Sequence, residues 1–123
     1  MDANSTAKVP APFPRLTQFD LHQRMEETPG VAILILTAPA CGSCKAMRAA
    51  LEGLRGLRPD IQVFEADAVA ESGLVQELEV FHLPALFVWR DGAYHGALQA
   101  EPLPQRLNEA LDALLARPPE EAP

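Results

Sequence analysis

The sequence predicts an α/β domain with a central mixed β-sheet of roughly four to five strands, flanked by helices on both faces. Three observations carry that expectation. Val31–Thr37 (VAILILT) is a continuous apolar, β-branched run, which is how a strand buried on both faces reads. Helical and strand-like patterns then alternate along the chain, an order that implies right-handed crossovers over a covered sheet. Finally, Asp91-Gly92 separates two short strand-like runs. That dipeptide favours a tight primed turn, so the last two strands should form a hairpin and make the sheet mixed.

Each element has its own signal. Residues 18–27 read as a short helix, stopped by the turn pair Pro29-Gly30. Gly42–Leu57 reads as a helix with Cys44, Met47, Leu51, Leu54 and Leu57 on one apolar stripe. Residues 61–66 (IQVFEA) give a second strand. Residues 69–81 give a helix with Leu74, Leu78 and Phe81 on one face. Ala85–Arg90 and Ala93–Leu98 are the arms of the hairpin, with Trp89 as core or sheet cover. Residues 102–116 close the domain as a helix, with Leu103, Leu107, Ala110, Leu111 and Leu114 inward. A short strand also fits residues 13–16, held at an edge by its prolines.

The bulk properties narrow the function. A chain of 123 residues suits one domain and buries about two thirds of its unfolded surface, so it needs no disulfide staple or metal to fold. We divide it into a flexible Pro-rich arm (1–14), the domain (15–116) and a disordered acidic tail (117–123). A formal net charge of −7 argues against nucleic acid and anionic lipid as partners. The longest apolar run falls far short of the ~20 residues of a spanning helix. The N-terminus lacks the apolar stretch of a signal peptide. The expected location is therefore cytoplasmic, where a disulfide is transient and catalytic rather than structural. A monomer is expected.

Cys41-Gly42-Ser43-Cys44 follows the buried strand and opens a helix. Helix N-terminal amides and the helix dipole favour a negative charge there, and the thiolate is the reactive form of cysteine. Lys45 and Arg48 add positive charge. Cys41 should therefore attack, and Cys44, in the first turn facing the core, can reach back to resolve a mixed disulfide. Gly42 and Ser43 are small enough for a substrate backbone to approach. Three other roles compete for the pair. A zinc half-site would need two further ligands, and His22, His82 and His95 form no ligand-spaced motif. Inert packing cysteines are out of character at a polar helix start. A permanent disulfide would close too small a loop to stabilise much.

At this point the sequence resembles the thioredoxin family. A C-x-x-C beside a βαβ pattern is the general signal, and specific matches support it over about residues 15–116. Ala38 to Lys45 (APACGSCK) matches A-x-W-C-G-P-C-K, and Phe81 to Pro84 (FHLP) before an apolar strand matches G-I-P-T. The resemblance implies a cis Leu83-Pro84 bond beside the redox pair, with Leu83 offering its backbone to an extended substrate peptide. It further implies disulfide exchange with protein substrates, most plausibly reduction, and recharging by a reductase or a small thiol. No cofactor is implied beyond the redox-active Cys41–Cys44 disulfide.

Departures from the pattern are informative. The family's tryptophan is Ala40 here, its earlier aromatic is Thr37, and its dipeptide proline is Ser43. Its substrate-face glycine falls on Ala100. The buried aspartate that the resemblance implies as proton acceptor for the second cysteine falls on Ile35, and its lysine partner on Glu65. Resolution by Cys44 is therefore expected to be slow, or to use water or Glu65. Ser43 should stabilise the reduced form relative to proline. An alternative function follows from the same departures: a thioredoxin-like binding, assembly or redox-sensing module with little turnover.

Overall fold

Val31–Thr37 forms β1, and all seven of its residues are buried, because both faces of this strand are covered. The computed structural model describes residues 13–123; of the arm expected over 1–14, only Phe13 and Pro14 fall within them. In chain order the elements are α1 (Leu21–Glu26), β1, α2 (Gly42–Leu57), β2 (Gln62–Asp67), α3 (Ser72–Glu77), β3 (Ala85–Arg90), β4 (Ala93–Leu98) and α4 (Pro104–Leu115). The sheet order is β2-β1-β3-β4. β1 runs parallel to β2 and antiparallel to β3, and β3–β4 is an antiparallel hairpin. This is the mixed α/β sheet the sequence predicts, and β1 lies inside it.

The expected edge strand over 13–16 is reduced to a single parallel bridge between Arg15 and Glu65. Two backbone bonds hold it, Leu16 N–H to Glu65 O and Glu65 N–H to Pro14 O, each 2.9 Å. Phe13 is 2 % exposed and belongs to the core.

Period-two alternation divides the apolar residues between two layers. Ile33 and Ile35 pack with Met47, Leu51 and Leu54 of α2 and with Leu107 and Leu111 of α4. Leu34 and Leu36 pack on the other face, with Leu21 and Met25 of α1 and Leu74 of α3. Burying a side chain of this size contributes about 1.5–3 kcal/mol, and β1 contributes such side chains to both layers.

Two expectations about helices are corrected. The helix expected over 69–81 spans only Ser72–Glu77. Asp67 ends β2, and its carboxylate accepts the Val69 and Ala70 amides, holding a turn before the helix. At the other end Glu79 takes a left-handed φ of 54°, with Val80 N–H bonded to Val75 O and Glu79 N–H to Gln76 O. That is a Schellman stop. Phe81, expected inward, therefore lies beyond the helix and is 91 % exposed. Likewise Leu57, at the last position of α2, is exposed rather than part of the buried stripe. Trp89 is buried as expected, edge-on to Tyr94 at 5.3 Å between ring centroids.

The hairpin turn is built as its dipeptide predicts. Asp91 and Gly92 have φ of 50° and 85°, the left-handed pair that a primed turn requires. Asp91 also ties the turn to the α1–β1 loop, its carboxylate accepting the Gly30 amide at 2.8 Å.

Candidate redox site

The loop after β1 delivers Cys41 to the N-cap of α2. Ala40, immediately before it, has φ of 60°, so the chain turns sharply out of the sheet into the helix. Cys41 and Cys44 form a disulfide with Cα atoms 5.2 Å apart. Their environments differ. Cys44 is fully buried, whereas Cys41 is partly accessible. The Cys44 backbone N–H donates to Cys41 Sγ at 3.2 Å, as an N-cap acceptor requires. The Ser43 hydroxyl lies 3.4 Å from the same sulfur. Both donors would remain beside a Cys41 thiolate. The accessible sulfur is therefore placed to be stabilised as an anion, and the buried one lies directly behind it.

The Leu83-Pro84 bond is cis, as the family resemblance implies. Ser43, Met47, Leu83 and Pro84 line one groove of about 830 Å³ that continues along β3 and β4. Phe81 and His82 line it as well, and both are exposed. The groove thus combines Ser43 from between the two cysteines, the cis-proline turn and an exposed aromatic. Gly42 is exposed at the helix start, with nothing near the position a Cβ would take. Ala100 also lines the groove and packs on the core. Phe81, which the helical period would place inward, instead lies at the surface of this groove with Pro84.

Behind the pair lies a polar network built on Glu65 and Arg48, two residues the sequence singles out separately. Ile35 is buried in the core, and Glu65 is its register partner on β2. Paired residues on parallel strands point to the same face, so Glu65 sits on the α2 side of the sheet. Glu65 is fully buried, yet charged by type. One of its carboxylate oxygens, Oε2, accepts from Arg48 Nε at 2.8 Å and from the Thr37 hydroxyl at 2.5 Å, with Arg15 3.9 Å away. Arg48 also donates to Thr37 Oγ1 at 3.2 Å. The other oxygen, Oε1, is buried without a partner. Arg48 lies four residues after Cys44 on α2, one helical turn away on the same side. A carboxylate therefore does occupy this layer, carried by the strand next to the one the family pattern uses. Buried charges are tolerated where they are paired, and Arg48 meets that need.

No three His, Cys, Asp or Glu side chains among the described residues are grouped as metal ligands would be. No helix among them is long and apolar enough to cross a membrane.

Comparison with known proteins agrees with this geometry. The Thioredoxin family model matches residues 14–113. The chain belongs to the thioredoxin family. It is 32% identical over 85 residues to protein disulfide-isomerase A3 of Gallus gallus, covering 66% of this chain and 16% of that protein. It is 36% identical over 66 residues to thioredoxin domain-containing protein 2 of Rattus norvegicus, covering 50% of this chain and 12% of that protein. The chain thus spans less than a fifth of the length of either relative. Among solved structures, thioredoxin from Trypanosoma brucei brucei superposes with a TM-score of 0.70 at 20% identity, covering 89% of this chain and 97% of that one. Oxidized mitochondrial thioredoxin 3 from Saccharomyces cerevisiae also gives 0.70, at 22% identity, covering 82% and 94%. At these identities the structures share the fold, and the thioredoxin-family C-x-x-C pair is present here as Cys41 and Cys44.

Proposed function

We propose that the protein is a thiol–disulfide oxidoreductase that reduces protein disulfides through Cys41 and Cys44. The observation that carries this reading is the asymmetry of the pair: an accessible Cys41 sulfur at a helix N-cap, with a buried Cys44 directly behind it. In the reduced protein, the Cys41 thiolate attacks a substrate disulfide. A Cys41–substrate bond forms and one substrate sulfur leaves as a thiolate. Cys44 then loses its proton and attacks Cys41, forming the intramolecular disulfide and expelling the second substrate sulfur. Two electrons pass from the pair to the substrate. A reductase or a small thiol recharges the oxidised pair. The setting that fits is a reducing compartment such as the cytoplasm, with the protein a monomer.

Substrate recognition in this reading uses Gly42 and Ser43 for close backbone approach and the Leu83 backbone for strand-like pairing with an extended peptide. The absence of a carboxylate at position 35 leaves Glu65, with its unpartnered Oε1, as the protein's own candidate to receive the Cys44 proton. Reduction of insulin by dithiothreitol tests the main reading: Cys41→Ser should abolish the protein's acceleration of turnover. The rate at which a mixed disulfide on Cys41 is released tests the second point. Glu65→Gln should slow that release about ten-fold or more if the carboxylate takes the proton, and an unchanged rate would point to water instead.

A second reading is favoured by Ala40 and Ile35, where the family has an aromatic and an acid. The protein would then be a thioredoxin-like binding, assembly or redox-sensing module with little turnover. Client binding without accelerated insulin reduction would establish it over the first.

A further inference from the structure

The C-terminal segment, expected from sequence as a disordered acidic tail, docks along the sheet edge. His95 is 4 % exposed, and its Nε2 lies 3.0 Å from Leu114 O and 3.1 Å from Arg117 O, fastening the end of α4. Beyond it, Glu120 N–H donates to His95 O at 2.8 Å, and Ala97 N–H donates to Glu120 Oε1 at 3.2 Å. These bonds flank Gly96 and occupy the edge of β4 that an added strand would use. Gly96 makes room for them. A Cβ there would lie 2.8 Å from Glu120 Cδ and 2.9 Å from Leu114 Cδ1.

From this anchor the segment reaches the groove of the redox pair. Glu120, Glu121 and Pro123 line the same groove as Ser43, Met47 and Pro84. Among the described residues, the charged side chains lining that groove are Glu79, Glu120 and Glu121, with His82 and Tyr94 as the other titratable side chains and no lysine or arginine. Two of the three carboxylates therefore come from the tail.

We propose that residues 118–123 are a specificity-determining wall of the substrate groove and select extended client segments bearing positive charge. The proposal rests on the disulfide-exchange reading for its substrate, but not for its binding preference. A client whose disulfide meets Cys41 has its flanking residues in the groove, where lysine or arginine is attracted and aspartate or glutamate repelled. Each exposed pair is worth a few-fold in affinity at low salt.

The test uses two labelled peptides of one sequence, with lysine or glutamate flanking a central disulfide. Binding to the oxidised full-length protein is read by fluorescence anisotropy, and turnover is read separately with dithiothreitol. The wild type should prefer the lysine peptide by about three- to ten-fold at low ionic strength, with the preference collapsing in high salt. Glu121→Gln, and truncation after Arg117, should each lower that ratio at least about two-fold. Asp60→Asn, in the loop before β2 and away from the groove lining, removes the same charge elsewhere and should leave the ratio unchanged. Equal ratios in wild type and both tail variants would overturn the proposal, as would an equal fall with Asp60→Asn, which would assign the preference to net charge alone. A tail-dependent binding preference without turnover would sink the exchange reading while leaving this inference standing. If the truncated chain is poorly folded by circular dichroism, Glu121→Gln decides alone.

Discussion

The two sides of the redox pair are built on opposite principles. On the β2 side, α2 closes over Ile35 and the buried Glu65, whose carboxylate is paired with Arg48 of that helix. On the β3–β4 side, the cis-proline turn, Phe81 and the docked tail leave a groove whose charges face outward and are unbalanced. The closed side sets what the cysteines can do, because fixed charges act strongly where water is excluded. The open side sets what they can do it to. The difference teaches that departures from the family pattern must be read by side: Ile35 and Glu65 lie in the closed layer, whereas Ser43 and the tail line the open groove.

The largest expected effect breaks the closed side. Ile35→Asp would restore the family's acid but place it across from Glu65, so two carboxylates share one dry layer and a buried Ile is lost. A cost of about 4 kcal/mol or more is expected in denaturant unfolding. Adding Glu65→Gln leaves a single carboxylate facing Arg48, and the double variant should recover about 2 kcal/mol of that loss. Simple additivity in this cycle would show that the two positions do not share an electrostatic site.

A smaller effect belongs to the boundary between the sides. Ser43→Pro removes the hydroxyl that lies 3.4 Å from Cys41 Sγ and stiffens the turn between the cysteines. The reduced form should lose about 1–2 kcal/mol of stabilisation, which makes the couple more reducing by roughly 20–40 mV. Redox titration against glutathione checks the sign, and a more oxidising proline variant would contradict the role given to Ser43.

The smallest effect sharpens the open side. Tyr94 has its phenol pushed up from 10.0 to about 12, by burial first and then by the negative charge of Glu120. The fold therefore favours the neutral phenol. The stability this contributes is intact below pH 10 and is lost as pH rises toward 12. Phenolate absorbance should show the midpoint, and truncation after Arg117 should lower it, because the tail supplies the negative charge of Glu120. An unchanged midpoint would mean that Glu120 does not act on Tyr94 in solution.

Much of this was written locally in the chain. The seven-residue run of β1 could be read because burial on both faces demands continuous apolarity. Asp91-Gly92 named its own turn, and the cysteine spacing with a helix start named the chemistry. Other features depended on distant partners. The helix over 69–81 was overextended because its apolar period continues past the left-handed stop at Glu79, a non-glycine residue that gives no sequence warning. Phe81 was consequently placed in the core, although the chain puts it beside the cis-proline turn.

Composition, periodicity and the C-G-S-C motif by themselves determined the mixed sheet, its order of elements and the place of the cysteine pair at a helix start. These depend on local backbone preference and on which residues must leave water. Only the tertiary structure decided that a carboxylate missing from β1 has a counterpart on β2, neutralised by an arginine from α2, and that the last residues return to the redox groove. Both depend on pairings across 17 to 28 positions of sequence or on a tail meeting an edge strand, and Coulomb and hydrogen-bond energies follow distance in space rather than distance along the chain.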